Sequence, residues 1–138
     1  MHNSELARDY VQRATVRLEA VRVLYDARSW ADVVRESQEI VELALKGLLR
    51  ASGVEPPRIH DVSEILLAER QRLPGGLRAD VERLAEVSRQ LRRDRELAFY
   101  GAEDLTPSGF YSEADAKQAQ SGAQMVVSLV RPHLIPEV

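Results

Sequence analysis

The chain has 138 residues, 44% of them hydrophobic and 5% aromatic, so we expect one domain, 1–138, with a core of aliphatic side chains. Charged residues make up 30% and the formal net charge is −3, which excludes general nucleic-acid binding through overall charge and requires a local patch for any anion. The absence of cysteine excludes disulfides, thiol catalysis and cysteine-ligated zinc, and without an apolar run of about 20 residues or a signal peptide we expect a cytoplasmic protein with no membrane partner.

Apolar residues recur at intervals of three and four along almost the whole chain, a period that predicts helices and no sheet. A first long helix is predicted to extend to about residue 25, and a second from 30 to about 52, where Gly53 ends it. Gly47, in the middle of the second helix, costs about 1 kcal/mol there and indicates a close contact with another helix. Serines are placed to cap both helices, at Ser4 and Ser29.

Two further helices are predicted in the middle of the chain. Asp61 followed by Glu64 has the pattern of a capping box, which predicts a short third helix over 62–73. The sequence Pro74-Gly75-Gly76 ends this helix, because proline and glycine are the residues least compatible with a helix interior. A fourth helix is predicted over 77–99.

The last part of the chain predicts a loop and one more helix. The segment 102–111 contains a proline and a glycine, which favour a loop. Ser112 with Asp115 predicts a capped fifth helix, and Pro132 is expected to close it. Helices of this number and length, joined by short connections, predict an all-α fold, an up-and-down antiparallel bundle of four to five helices.

Three arginines fall within four positions near the end of the fourth helix, in the stretch RRDRELAFYG at 92–101. At about 100° per residue, Arg95 lies within the apolar stripe of this helix, whereas Arg92 lies on its flank and Arg93 on the opposite side. A guanidinium on the inner face must be paired or must open onto a cleft, because an unpaired buried charge costs several kcal/mol. The stripe consists of Leu77, Leu84, Val87, Leu91 and Ala98.

The residues leave two interpretations of Arg95 open. It can satisfy a carboxylate of the second helix, at Glu39 or Glu42, or it can recognise an anion. For Arg92 and Arg93, the alternative to anion recognition is an ordinary solvated helix face.

The stretch from Ile40 to Leu66, IVELALKGLLRASGVEPPRIHDVSEIL, resembles the HEPN domain. An apolar helix with an Ala-Leu-Lys-x-Leu-Leu core at 44–49 is followed by a proline-containing loop and by His60-Asp61, which opens the next helix. The resemblance covers nearly the whole chain, including the arginine-rich end of the fourth helix. It implies an up-and-down bundle of four to five helices that is usually homodimeric.

The resemblance also implies a function. Many HEPN proteins are metal-independent ribonucleases, and others stand beside a small nucleotidyltransferase as toxin and antitoxin. The catalytic motif of the family is an arginine followed, after four to six residues, by a histidine. Tyr100 occupies the histidine position here, with Arg95 or Arg93 as the motif arginine. Arg93 has the polar successor that the family prefers, Asp94, and Arg95 has the inward direction, so both registers stay open.

Replacing the motif histidine changes the chemistry available to the site. A tyrosine of pKa about 10 is poorly matched to proton transfer near neutral pH, to which an imidazole of pKa about 6.5 is suited. Arginine still stabilises a phosphate, and a phenol can donate a hydrogen bond to a phosphate or stack on a base. We therefore predict a nucleotide- or RNA-binding cleft, duplicated in a homodimer. Its predicted residues are Arg92, Arg93, Arg95 and Tyr100.

These considerations predict a non-enzymatic nucleotide- or RNA-interacting protein that is the partner of a small nucleotidyltransferase in a two-component system of the toxin–antitoxin type. One alternative is a metal-independent endoribonuclease toxin in which Arg95 and Tyr100 are catalytic. A second alternative is a purely structural oligomer. No metal site or cofactor is predicted, because the three histidines lack the spacing of metal ligands. We expect His60 to fix its loop through hydrogen bonds.

Overall fold

The computed structural model describes the backbone of residues 2–59, 61–100 and 106–135, and the side chains of these residues other than 2–3 and 93–100. Within these ranges the chain forms α1 (His2–Asp26), α2 (Trp30–Ala51), α3 (Ser63–Ala68), α4 (Val81–Tyr100), α5 (Pro107–Phe110) and α6 (Glu113–Leu134). Two 3₁₀ helices, Arg70–Arg72 and Gly75–Asp80, connect α3 to α4. The described part of the chain contains no strand, and the predicted all-α fold is confirmed.

Helix α2 is the centre of the bundle and contacts α1, α4 and α6. The aliphatic positions predicted for it are buried: Val33, Val34, Ile40, Val41, Ala44, Leu45, Leu48 and Leu49. Side chains from the surrounding helices complete the same core, among them Val11, Val21, Leu84, Leu91, Val126 and Val130. The core is therefore aliphatic, as the composition requires. None of the described helices has the length and apolar character needed to cross a membrane.

Gly47 marks the closest approach of α1 to α2. A Cβ atom at this position would lie 3.1 Å from the carbonyl oxygen of Ala7 and 3.2 Å from Cγ2 of Val11. Both distances are shorter than ordinary van der Waals contacts, so any larger side chain would push the two helices apart. The helix contact predicted from this glycine is confirmed.

The chain reverses direction between α1 and α2 within residues 27–29. Arg28 adopts a left-handed conformation with φ of 60°. Its backbone nitrogen donates to the carbonyl of Tyr25, and that of Ser29 donates to the carbonyl of Leu24, both at 2.9 Å. These hydrogen bonds satisfy carbonyls at the end of α1 and direct the chain back along the bundle, in a position where glycine is the usual residue.

Two predicted helix starts differ from the structure. Helix α1 begins at His2, so Ser4 lies inside its first turn and does not cap it. Ser29 does precede α2, but its hydroxyl donates to the carboxylate of Asp32 at 2.6 Å and makes no hydrogen bond to the helix backbone. A charged acceptor forms a stronger hydrogen bond than a neutral one, so the carboxylate holds the hydroxyl.

The third predicted helix is shorter in the structure. Helix α3 ends at Ala68, and the chain continues through the 3₁₀ helix Arg70–Arg72 instead of remaining α-helical to residue 73. The predicted capping box is also replaced by another contact. Asp61 accepts a hydrogen bond at 2.9 Å from the backbone nitrogen of Ser63, two residues along, and not from that of Glu64.

The C-terminal helix is capped as predicted but ends later. The backbone nitrogen of Asp115 donates to Oγ of Ser112 at 3.2 Å, and that of Ser112 donates to Oδ2 of Asp115 at 2.9 Å. The expectation that Pro132 closes α6 is wrong, because the helix continues to Leu134. Proline has no backbone N–H to donate to the preceding turn. Val130 and Leu134, on either side of Pro132, are nevertheless buried in the core, and their packing favours a helix that continues past the proline.

The predicted loop 102–111 contains one helical turn. Residues 107–110 form α5, with proline at the first helical position, where its missing N–H costs nothing. The hydroxyl of Thr106 accepts a hydrogen bond from the backbone nitrogen of Gly109 at 3.1 Å and caps this turn. Residues 101–105 lie outside the described residues.

Candidate functional site

The predicted arginine cluster lies on the last turns of α4. Arg92 is half-buried. Arg93, Arg95 and Tyr100 lie on the described backbone of α4, but their side chains are outside the described residues. For these three residues the structure gives the position along the helix and its register.

Helix α4 extends through Tyr100, so the regular spacing of an α-helix applies to both versions of the family motif. Positions 93 and 100 are about 20° apart around the helix axis and share a face. Positions 95 and 100 are about 140° apart and lie on different faces. Helical geometry therefore places Tyr100 in line with Arg93, although Arg95 has the more inward position.

The apolar stripe predicted for the fourth helix is largely confirmed. Leu84 is fully buried and Leu91 is 3% exposed, while Val87 is half-buried; the side chain of Ala98 lies outside the described residues. Position 95 follows Leu91 by one turn of the helix. The inward position of the Arg95 side chain stays a prediction, because that side chain lies outside the described residues.

Ser88 connects this face of α4 to the loop that carries the histidine-aspartate pair. Its side chain is fully buried. Its hydroxyl oxygen accepts a hydrogen bond from the backbone nitrogen of Val62 at 3.1 Å and donates to Oδ1 of Asp61 at 3.3 Å. His60 precedes this contact and lies outside the described residues. Sequence reasoning missed Ser88, although a hydroxyl between Leu84 and Leu91 on an apolar face was a usable signal.

The two carboxylates suggested as partners of Arg95 each have a basic neighbour. Nζ of Lys46 lies 3.2 Å from Oε2 of Glu42, one turn earlier on α2. Nη1 of Arg17, on α1, lies 4.0 Å from Oε2 of Glu39. Each carboxylate therefore has a basic neighbour on α1 or α2, and the side chain of Arg95 lies outside the described residues.

A cleft of about 300 Å³ lies between α4 and α6, beside α5. Its lining combines carboxylates, amides and aromatic rings with apolar side chains. The residues are Glu86, Val87, Gln90, Leu91, Phe110, Tyr111, Asp115, Gln118, Ala119 and Gly122. Sequence reasoning did not identify this cleft, because its walls come from segments that are distant along the chain.

The aromatic wall of the cleft consists of Phe110 and Tyr111. Their ring centroids are 4.9 Å apart and the ring planes are inclined by 74°, an edge-to-face arrangement. Tyr111 is buried at 6% exposure, whereas Phe110 is 38% exposed. The buried ring therefore supports a second ring that remains accessible from the cleft.

A tyrosine and a glutamate join the end of α1 to the start of α6. The hydroxyl of Tyr25 donates to Oε2 of Glu113 at 3.0 Å. Burial raises the pKa of Tyr25 above its usual value of 10.0, and the hydrogen bond and the negative charge of Glu113 raise it further. Tyr25 also packs edge-to-face on Trp30, with ring centroids 5.1 Å apart. These contacts fix the first turn of α6, from which Asp115 reaches the cleft.

Among the residues that the structure describes, no group of three or more histidine, cysteine, aspartate or glutamate side chains is arranged to hold a metal ion. Glu86 pairs with Arg89 at 2.8 Å, and Asp115 belongs to the capping box of α6.

Comparison with known proteins identifies the family. The family model described as the HEPN domain matches residues 7–133, nearly the whole chain. No curated protein and no solved structure matches the sequence. The match covers the stretch from Ile40 to Leu66 that carries the resemblance, the arginine-rich end of α4 and the cleft beside it. The chain belongs to the HEPN domain family.

Proposed function

We propose that this HEPN protein interacts with a nucleotide or RNA and acts as the non-enzymatic partner of a small nucleotidyltransferase, in a two-component system of the toxin–antitoxin type. Membership of the family supports the nucleotide- or RNA-related part of the proposal. We propose a nucleotidyltransferase as the partner because other HEPN proteins are paired with such an enzyme.

One observation carries the proposal: the family motif on α4 retains arginine but ends in Tyr100 instead of histidine. Holding a phosphate requires fixed cations and hydrogen-bond donors, which Arg93, Arg95 and a phenol supply. Cleaving RNA also requires a group that exchanges protons near neutral pH, and an ordinary tyrosine hydroxyl does not do so. Binding without catalysis is the combination that these residues support.

The packing of α4 supports the same proposal. Ser88 and Leu91 are buried immediately before Arg92, so the helix is fixed in its rotation about its axis where the arginines begin. Cations mounted on a fixed helix lose less conformational entropy on binding than cations on a free segment. We therefore expect the arginines to form a fixed patch of positive charge, although the whole chain has a net charge of −3.

We expect the protein to be a homodimer. In a twofold dimer whose interface follows the end of α4, two copies of Arg92, Arg93, Arg95 and Tyr100 line one cleft. Light scattering at micromolar concentration should give the mass of a dimer. A monomeric mass would contradict this part of the proposal.

Titration of the wild type and two variants with ATP and with a short RNA tests the binding surface. Arg95→Ala should weaken binding by about 1–3 kcal/mol, as expected for loss of a charge-assisted hydrogen bond. The matched control is Arg83→Ala, which removes an exposed arginine of the same helix that pairs with Asp80 at 3.4 Å. Equal binding by the three proteins, with a lower melting temperature for Arg95→Ala alone, would show that Arg95 forms an ion pair that stabilises the fold and does not bind the ligand.

Two further measurements address the partner and the absence of catalysis. The protein should co-purify from its native cell with a small nucleotidyltransferase, and repeated purification without one would contradict the partnership. Total RNA incubated with the pure protein and a chelator should stay intact. Cleavage that is lost in both Arg95→Ala and Tyr100→Phe would instead identify a ribonuclease.

A further inference from the structure

The cleft between α4 and α6 has the size and shape of a small-molecule site. Its volume of about 300 Å³ lies at the lower end of the range for such sites. A Cβ atom at Gly122 would lie 3.2 Å from Cγ1 of Val87, so the two helices are in contact at this point of the lining. The aromatic pair of Phe110 and Tyr111 forms another wall.

The aromatic wall favours a planar ligand. Phe110 is 38% exposed and rests against the buried ring of Tyr111. An exposed aromatic ring on a fixed support is the usual platform on which proteins stack an unpaired nucleobase. Apolar side chains of Val87, Leu91 and Ala119 line the cleft as well and would exclude water from the faces of a bound base.

The polar groups of the cleft indicate which base edge fits. Arg89 bonds to Oε2 of Glu86, and Ser112 bonds to Oδ2 of Asp115, so each carboxylate has a second oxygen that can accept further hydrogen bonds. Gln90 and Gln118 line the cleft with amides that can donate to ring acceptors. Guanine presents adjacent N–H donors together with the O6 and N7 acceptors, and so complements a carboxylate and an amide at once.

The negative charge of the lining favours a neutral base over a phosphate as the group that occupies the cleft. Among the described lining residues, only Glu86 and Asp115 have side chains that carry a charge near neutral pH, and both are acidic. They repel a phosphate by Coulomb interaction and leave the cleft to a neutral ring with N–H donors. Leu91 is the last α4 residue among the described residues of the lining, and the arginines at 92, 93 and 95 follow it directly along the chain.

From this arrangement we infer that the cleft binds an unstacked guanine base of the nucleotide or RNA, with Phe110 as the stacking surface and Glu86 as the acceptor for the guanine N–H groups. The inference rests on the proposed function and adds a base preference to it. Glu86 and Gln118 determine this preference, whereas the arginines of α4 bind the phosphate whatever the base.

Calorimetric titration of the full chain with short oligouridine RNAs that differ in one central base tests the inference. The RNA with guanine should bind about tenfold more tightly than those with adenine or cytosine, as one well-placed bidentate contact provides. Glu86→Gln should abolish this preference, so that the variant binds the RNA with guanine no more tightly than the RNAs with adenine or cytosine. Its matched control is Glu82→Gln, since Glu82 is an exposed glutamate of α4 that pairs with Arg70 at 3.5 Å and lies outside the cleft.

A second variant and a phosphate-free ligand make the outcomes distinct. Gln118→Ala should also reduce the preference for guanine, whereas Gln124→Ala, on an exposed part of α6, should not. Guanosine should compete with the guanine-containing RNA. RNA binding that is equal for all bases and unaffected by Glu86→Gln would overturn this inference and leave the proposed function intact. Guanosine binding without RNA binding would support the cleft and contradict the proposed function, and binding of neither would overturn both.

Discussion

Ser88 of α4 holds Val62 at the start of α3, because its hydroxyl oxygen accepts a hydrogen bond from the Val62 backbone nitrogen at 3.1 Å. The same hydroxyl donates to Asp61, so it satisfies a buried backbone donor and a carboxylate together. The loop that contains His60 is thereby attached to the face of α4 that leads to the arginines one turn later. Asp61, the described member of the histidine-aspartate pair, therefore contacts α4 one turn before Arg92.

We expect Ser88→Ala to lower the free energy of unfolding by about 1–3 kcal/mol, because the backbone nitrogen of Val62 would remain buried without an acceptor. Urea unfolding followed by circular dichroism measures the change. The control is Ser121→Ala on the exposed face of α6, which should alter stability by less than about 0.5 kcal/mol. Equal stabilities of the two variants would contradict a structural role for the Ser88 hydrogen bonds.

We expect Gly47→Ala to destabilise the protein by about 1–3 kcal/mol, against the intrinsic preference of a helix for alanine. The added methyl group would come within 3.1 Å of the backbone oxygen of Ala7, which cannot move without shifting α1. Gly75→Ala is the control, since nothing lies within 4 Å of a Cβ atom there. Thermal melts compare the stability of both variants with that of the wild type. A melting temperature of Gly47→Ala above that of the wild type would contradict the close helix contact.

Arg28→Gly should stabilise the protein by about 0.5–1 kcal/mol. Arg28 has φ of 60°, a conformation that costs a residue with a Cβ atom more than it costs glycine. Arg28→Ala provides the control, because it removes the charge but keeps the Cβ atom and the strain. Denaturant unfolding of both variants separates the two causes. If the alanine variant gains as much stability as the glycine variant, the charge and not the backbone conformation is responsible.

The pKa of Tyr25 predicts a loss of stability in alkaline solution. Burial, the hydrogen bond to Glu113 and its charge raise the pKa of Tyr25 in the folded state above 10.0. The unfolded chain therefore loses this proton first, and the contribution of Tyr25 to stability is complete below about pH 10 and lost as the pH rises through the folded-state value. The free energy of unfolding of the wild type should fall more steeply above about pH 10 than that of Tyr25→Phe.

Spectrophotometric titration of tyrosinate checks the cause of this shift. The difference between the wild type and Tyr25→Phe isolates one of the four tyrosines. Glu113→Gln should lower the pKa of Tyr25 only in part, because the amide removes the negative charge but leaves the burial, which is the largest cause. A difference curve centred at or below pH 10.0 in the wild type would contradict the predicted direction.

Most of the helices and their buried faces can be predicted from the sequence, although α5 lies in a segment that predicts a loop. Leu45 and Leu48 of α2 and Leu91 of α4 belong to apolar patterns with the helical period, and all three are buried. Ser112 and Asp115 cap α6 through hydrogen bonds that span only three residues. Such features are local, so their physical causes are visible in a short stretch of chain. Several errors lie at helix ends, as at Pro132, where the packing of Val130 and Leu134 in the core keeps α6 helical despite the proline.

Contacts between residues that are distant along the chain become visible only in the tertiary structure. Ser88 meets Asp61 across 27 residues of sequence, and Tyr25 meets Glu113 across 88. Neither pairing has a periodic or local signature, because it depends on how α1, α3 and α6 are placed against their neighbours by the aliphatic core. The cleft formed by Glu86, Phe110 and its other lining residues is of the same kind. Its shape is set by the separation between two packed helices, and that separation is a property of the whole bundle and not of any segment within it.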